Sequence, residues 1–301
     1  MQTNLDAHPA MSTPPPANPL VAPDVTEEEL VAAARTGDMA ALDVLLRRHQ
    51  PWIFNLALRM VWRRTVAEDV TQEILLKVVT HLGSFEGRSK FSTWLYRIAV
   101  NHLLNVRKSE MEEQSATFTD MGRSLDHCEN SDLPDESLLP VGHGLLVEEA
   151  KLGCITAMLM CLDRRQRLAF ILGEVFGVTS EVGAEVMEIS PDNFRQLLSR
   201  ARHDLYEFMN HKCGLVNALN PCRCAKKAGT FMQRGWLDPR HRQFTPNRLA
   251  AVRDITPNRL DELQGMRRAH AEVYRDTPLT APPDAVRRLR EVISRSSFSS
   301  E

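Results

Sequence analysis

Residues Pro191 to Met209, PDNFRQLLSRARHDLYEFM, constrain the fold more than any other stretch of the chain. Phe194, Leu197, Leu198, Ala201, Leu205 and Phe208 recur at three-to-four spacing, the period of a helix with one packed face. Ser190 ahead of Pro191 supplies the cap and first-turn proline that open such a helix. The other side carries Arg195, Gln196, Ser199, Arg200 and Arg202. A shorter run, Ser180 to Met187, precedes it across a tight break at Glu188 to Ser190, with Val182, Val186 and Ile189 apolar. Short helix, break and long basic helix read as a helix-turn-helix. Its second helix suits the major groove, where arginine and glutamine reach base edges while flanking arginines hold phosphates. A small helical bundle with an arginine-rich exposed face has the same pattern, and the turn lacks a glycine. The residues alone leave both readings open.

The rest of the chain also reads as all-α. Residues 1–24 are rich in Pro, Ala, Asn and Thr without apolar periodicity, which predicts a disordered tail. Thr26 with Glu29 forms a capping box for a first helix ending near Gly37. Asp38 caps a second, whose stripe runs from Leu42 through Trp52, Ile53 and Leu56 to Met60, with Pro51 as a kink or a new start. A third runs from about Thr65 to Leu82 and carries Glu68, Asp69, Gln72 and Glu73 on an exposed acidic side. After a loop with Phe85 and two glycines, Phe91 to Val106 interleaves Trp94, Leu95, Ile98 and Leu103 with Lys90, Arg97, Asn101, Arg107 and Lys108. Rings, amides and cations in that mixture suit a single-strand binding surface, and equally a core helix with a wet basic face. Helical periodicity returns from Leu145 to Leu162, followed by a turn at Asp163 to Gln166 and a short apolar helix from Leu168 to Phe176.

A formal net charge of -2 hides a strong division. Residues 111–150 hold Glu112, Glu113, Asp120, Asp126, Glu129, Asp132, Asp135, Glu136, Glu148 and Glu149 against Arg123, whereas bases outnumber acids beyond Asn210. The acidic part lacks a steady period and reads as a flexible linker. The predicted layout is a tail 1–24, a helical domain 25–109, an acidic linker 110–144, a helix-turn-helix domain 145–210 and a mostly helical extension 211–301. No stretch reaches the ~20 apolar residues of a membrane span, and no secretion signal opens the chain. Six cysteines in 301 residues form no disulfide scaffold, so the cytoplasm is the expected compartment.

With these residues in view, the chain resembles bacterial RNA polymerase sigma factors of the extracytoplasmic-function group over about Thr26 to Met209. The resemblance rests on Ala67 to Glu73 (AEDVTQE), Phe85 to Ala99 (FEGRSKFSTWLYRIA) with Asn101 and Arg107, Leu162 to Arg167 (LDRRQR) and Leu198 to Arg202 (LSRAR). It implies a non-enzymatic function, binding core polymerase and promoter DNA, with no cofactor for that activity. Asp69, Gln72 and Glu73 are then the core-docking residues, an acidic face suited to a basic partner. Phe85, Arg88 and Lys90 belong to the loop that captures a flipped minus-10 base, and Trp94, Arg97, Asn101 and Arg107 to the helix on the melted non-template strand. Arg195, Gln196, Ser199 and Arg200 are implied nearest the minus-35 bases, with Arg202 nearer the backbone or core. Partners so implied are core RNA polymerase, duplex and melted promoter DNA, and an anti-sigma factor, without membrane insertion. Family members usually carry a small β-branched residue and a valine where this chain has Asn193 and Phe194, and a base where it has Leu197, so no promoter sequence follows.

The tail departs further from ordinary members. His211, Cys213, Cys222 and Cys224 offer four soft ligands for tetrahedral zinc. Redox pairing of Cys213 with Cys222 or Cys224, or three reduced thiols packed against the second domain, fit the same residues. Cys154 and Cys161 share a helical face and read as core residues, while Cys128 has no evident partner. Thr245 to Leu249 and Thr256 to Leu260 repeat TPNRL, two helix starts, and a last helix spans Asp284 to Ile293. Sigma factors with regulatory C-terminal extensions, some cysteine-rich and metal-responsive, share this outline, so regulation in cis is expected. Competing functions are a helix-turn-helix regulator acting without core polymerase, which leaves the Trp94 helix unexplained, and a thiol or zinc enzyme, for which no phosphate loop or paired carboxylates appear.

Overall fold

The computed structural model describes residues 25–106, 117–244, 273–274 and 282–297, and these form helices joined by turns. Residues 1–24, Arg107 and both TPNRL segments lie outside the described residues.

Four helices build the first bundle: α1 Glu27–Arg35, α2 Met39–Val61, α3 Arg64–His81 and α4 Phe91–Asn105. Both predicted caps form. Glu29 N donates to Thr26 Oγ1 at 3.2 Å while Thr26 N donates to Glu29 Oε2 at 2.9 Å, and Asp38 accepts from the amides of Ala40 and Ala41. Pro51 neither ends nor restarts α2, which runs on through it, and Asn55 Nδ2 donates to the Pro51 carbonyl at 2.8 Å. Leu45, Ile53, Phe54 and Leu56 of α2 close on Ile74 and Leu75 of α3 and Leu95 of α4, all shut off from water. Each such side chain contributes about 1.5–3 kcal/mol by burial, so α2 is the spine of the bundle.

The second bundle comprises α6 His143–Met160, α7 Arg164–Phe170, α8 Ser180–Met187 and α9 Pro191–Lys212, with one π-helical turn, Ile171–Val175, extending α7. The sequence reading opens a helix only at Leu168, yet α7 begins at Arg164. Asp163 is its cap: it accepts from the amides of Arg165 and Gln166 at 2.9 Å each, and Gln166 returns a side-chain oxygen to Asp163 N. Between α8 and α9, Glu188 takes the left-handed conformation (φ 54°, ψ 45°) that glycine usually supplies, which explains a tight turn without glycine. Ser190 caps α9 through the Asn193 amide, and α9 continues three residues past Met209.

The acidic connection is less open than its composition suggests. Helix α5, Phe118–Asp126, forms within it, opened by a reciprocal Thr117–Asp120 capping box. Nine residues are too few for a visible period, and α5 is held instead by tertiary contacts. Phe118 lies 5.2 Å from the Phe208 ring, and Lys212 Nζ sits 2.6 Å from Asp126.

Two helices follow the second bundle: α10 Cys224–Gln233 and α11 Ala285–Ser297. Helix α10 packs on α6 and clasps the acidic connection. Buried Lys227 donates to the carbonyls of Leu125 and Cys128, Ser131 N donates to Lys226 O at 2.9 Å, and a Cβ on Gly229 would stand 2.3 Å from Ser131 O. Helix α11 crosses α2 and α3, where Ala285, Val286 and Leu289 are buried and Asp284 and Arg290 pair with Arg47 and Asp43. Tyr274 is buried edge-on against Phe170 at 5.0 Å. Among the described residues no helix is long and apolar enough to cross a membrane.

Candidate nucleic-acid interface

On α3, Asp69 and Glu73 are exposed and Gln72 is half-buried, within one turn of one another. Glu73 also reaches α4: its Oε2 lies 3.0 Å from His102 Nε2, while Lys77 Nζ lies 2.7 Å from His102 Nδ1. Burial and then the Lys77 charge push the His102 imidazole below its ordinary range, against the opposing pull of Glu73. A neutral ring serves both neighbours, accepting from Lys77 and facing Glu73 with an N–H.

The loop before α4 does not present Phe85 to solvent. Its ring is buried, 5.5 Å from Phe91 in an edge contact and 5.3 Å from Trp94. Trp94 is half-buried and lies 5.5 Å from Phe91, so the three rings form one cluster. Arg88 is exposed and paired with Glu86 beside Gly87, and Lys90 is exposed at the cap position of α4.

Arg97 and Asn101, one turn apart on α4, do not face solvent alone. Helix α8 packs across them. Arg97 Nη2 lies 3.3 Å from Glu185 Oε1, its Nε 3.8 Å from Glu188 Oε1, and Asn101 Nδ2 donates to Glu188 Oε2 at 3.1 Å. Two arginines of α7 complete the junction. Arg164 donates to the carbonyls of Leu103, Leu104 and Val106 at the end of α4, and buried Arg167 to those of Leu159, Met160, Leu162 and, in the first bundle, Met60 at 2.7 Å. Trp52 of α2 and Phe176 meet across the same seam, their rings 5.3 Å apart and tilted by 32°.

On α9 the basic face is open. Arg195, Gln196, Ser199 and Arg200 are exposed, and Arg195 is steadied by Asp192 at 2.6 Å. Arg202 sits apart, its guanidinium bonded to Glu174, which is buried in the π-helical turn. Four donors on one exposed helix face can meet phosphates and base edges, whereas the amide and cation of α4 meet carboxylates.

Three of the four candidate ligands, the cysteines, share one site. His211 is exposed on the last turn of α9, whereas Cys213, Cys222 and Cys224 line a cavity of about 20 Å³ together with Cys154 of α6. Among the described residues no three His, Cys, Asp or Glu side chains already stand arrayed to hold a metal ion. Cys161, half-buried, caps the end of α6, with its Sγ 3.7 Å from the Met121 sulfur. Cys128 is buried beside the α10 clasp.

Sequence reasoning missed Glu185, Glu188, Arg164 and Arg167. For Glu188 a signal was present, a residue other than glycine in a turn too tight for it. The arginines gave none, because an arginine bonding carbonyls looks in sequence like one reaching for DNA.

Residues 45–112 match the family model Sigma-70 region 2, and residues 152–205 match Sigma-70, region 4. The chain is 30% identical over 184 residues to the RNA polymerase sigma-H factor of Pseudomonas aeruginosa, covering 58% of this chain and 90% of that one. It is 30% identical over 190 residues to the ECF RNA polymerase sigma-E factor of Haemophilus influenzae, covering 60% and 94%. Among solved structures, CnrH in complex with the cytosolic domain of CnrY aligns with a TM-score of 0.43 at 19% identity, over 61% of this chain and 97% of that one.

Proposed function

The chain belongs to the extracytoplasmic-function family of RNA polymerase sigma factors, which bind core polymerase and recognise promoters without catalysing a reaction, and from that premise we propose that its free form is closed. In this form the minus-10 helix is masked by the minus-35 module, and docking on core polymerase releases it. The observation that carries this reading is the engagement of Arg97 and Asn101 by Glu185 and Glu188.

Asp69, Gln72 and Glu73 dock on core polymerase. Arg195, Gln196, Ser199 and Arg200 read minus-35 bases. Trp94, Arg97, Asn101 and Arg107, with the Phe85, Arg88 and Lys90 loop, take the melted minus-10 strand once α8 withdraws. Stacking by an aromatic on a displaced base is worth about 1–3 kcal/mol, which offsets part of the cost of strand separation. Arg202 holds the module together through Glu174 rather than meeting bases.

The cysteine-containing extension acts in cis. Helix α10 fastens the acidic connection, and α11 lies against the docking helix α3, so both brace the closed form. An anti-sigma factor is a partner for the same closed form, and the cytoplasm, where polymerase and promoter DNA meet, is its place of work.

Fluorescence transfer between dyes on α3 and α9 tests the proposal. Core polymerase should lower the transfer and give promoter-specific run-off transcripts. Equal transfer with and without core would refute the closed form, and duplex promoter binding without core would favour an ordinary regulator.

A further inference from the structure

Cys154 comes from the middle of α6, Cys213 caps the end of α9, Cys222 lies in the following loop and Cys224 opens α10. Residues from four places in the chain thus converge on one cavity of about 20 Å³, otherwise lined chiefly by apolar side chains such as Leu125, Ile155, Met158 and Phe208. That volume holds a single water-sized guest. All four cysteines are free thiols.

The backbone around them is held in place. The amides of Val216 and Asn217 donate to the Cys213 carbonyl at 3.3 and 3.0 Å, and Asn220 Nδ2 donates to it at 3.1 Å. The Cys222 turn lies close against this one. Gly214 permits this approach: a Cβ there would stand 2.0 Å from the Cys222 carbonyl oxygen, so the two cysteine-bearing turns touch only because position 214 lacks a side chain. Cys224 opens a ten-residue helix that packs on α6, which fixes its place beside Cys154. Lys151 and Lys212 also line the cavity, with their ammonium groups toward Glu148 and Asp126.

We propose that Cys154, Cys213, Cys222 and Cys224 form a four-thiolate zinc site that joins the C-terminal extension to the minus-35 module, with His211 outside it. Four Zn–S bonds of about 2.3 Å form and four thiol protons pass to solvent, with no change of oxidation state. The thiols share the cavity without standing in a finished tetrahedron, and closure about the ion requires rotation of side chains between staggered rotamers. A tetrahedral sulfur set favours zinc over the oxygen-seeking divalent ions. The inference stands independently of how the promoter is read.

The test uses the full chain, purified with reductant, loaded with zinc and freed of excess by gel filtration. One zinc per chain is expected, retained in full by His211→Ala and held at least about tenfold more weakly by Cys154→Ser. Alkylation of the wild-type chain, mapped by peptide mass, needs no variant and decides the matter should Cys154→Ser not fold. Zinc should protect Cys154, Cys213, Cys222 and Cys224 together while leaving the rates at Cys128 and Cys161 unchanged. Zinc lost from the wild-type chain on filtration, equal alkylation of Cys154 with and without zinc, or loss of zinc in His211→Ala with retention in Cys154→Ser would each overturn the site.

Discussion

Asn101 of α4 donates through Nδ2 to the Glu188 carboxylate at 3.1 Å, so the first bundle is bonded to the very residue that turns the helix-turn-helix. Glu188 holds a left-handed backbone, a conformation costing roughly 1–2 kcal/mol away from glycine, while its carboxylate faces Arg97 and Asn101. Each exposed ion pair here contributes only about 0–1 kcal/mol, so the latch is weak enough to be opened by binding to core. Replacing Glu185 and Glu188 together by lysine should shift the closed–open balance roughly tenfold toward open, more strongly at low salt. Small-angle scattering of the free chain should show a larger radius of gyration, and an unchanged radius would count against the latch.

Arg167 is the firmer tie. It is 2% exposed and serves four carbonyls, three at the end of α6 and one on α2. Arg167→Met takes a donor from each of those oxygens and should cost at least about 3 kcal/mol in urea unfolding. Arg167→Lys should rescue little, since a point donor cannot span the carbonyls that a planar fork reaches. Full rescue by lysine would mean that charge alone matters there.

Trp94 belongs to a folded ring cluster. Trp94→Ala removes ring contacts with Phe85 and Phe91 and should lower stability by about 1–3 kcal/mol. At equal holoenzyme occupancy it should also sharply reduce permanganate reactivity of promoter thymines. Normal reactivity would move strand capture away from this ring.

Charge reversal at Asp69 or Glu73 should weaken assembly with core polymerase, with a difference that grows as salt falls. Because α11 approaches α3, the comparison is best made by native gel titration of otherwise intact chains. Affinities that match wild type at every salt concentration would place the docking face elsewhere.

His102 supplies a pH dependence. Its folded-state pKa lies below the unfolded value of about 6.5, because burial and Lys77 disfavour the imidazolium. The sign follows: its contribution to stability is present above about pH 6.5 and fades as pH falls through the depressed value. Urea midpoints should therefore drop more steeply in mild acid for wild type than for His102→Gln. Proton NMR of the His102 ring should titrate below the ordinary range, and a midpoint above it would reverse the sign.

Most helices were legible in sequence because their caps and apolar stripes are local: Thr26 with Glu29, Asp38, and Ser190 with Pro191 all act as read. The helix at Phe118 was not, since it is short and its apolar partner, Phe208, lies far along the chain. Exposure of Arg195, Gln196, Ser199 and Arg200 followed from their helical spacing. Masking of Arg97 and Asn101 did not, because the acids that cover them sit on another module and look in sequence like solvated charge. The same limit hid Cys154, an ordinary core position until the fold brings the three later cysteines beside it.

The clasp of α10 on residues 125–132 sets how far the two DNA-reading modules can separate. Minus-10 and minus-35 elements about 25 base pairs apart lie about 85 Å from centre to centre at 3.4 Å per pair. Residues 107–143 at full stretch span about 130 Å, but the stretch from 107 to 124 reaches only about 60 Å, even with α5 melted. While Lys227 grips the Leu125 and Cys128 carbonyls, the connection is a leash shorter than the separation of the two elements. A promoter with widely spaced elements should therefore load Lys227 more than one with a shorter spacer.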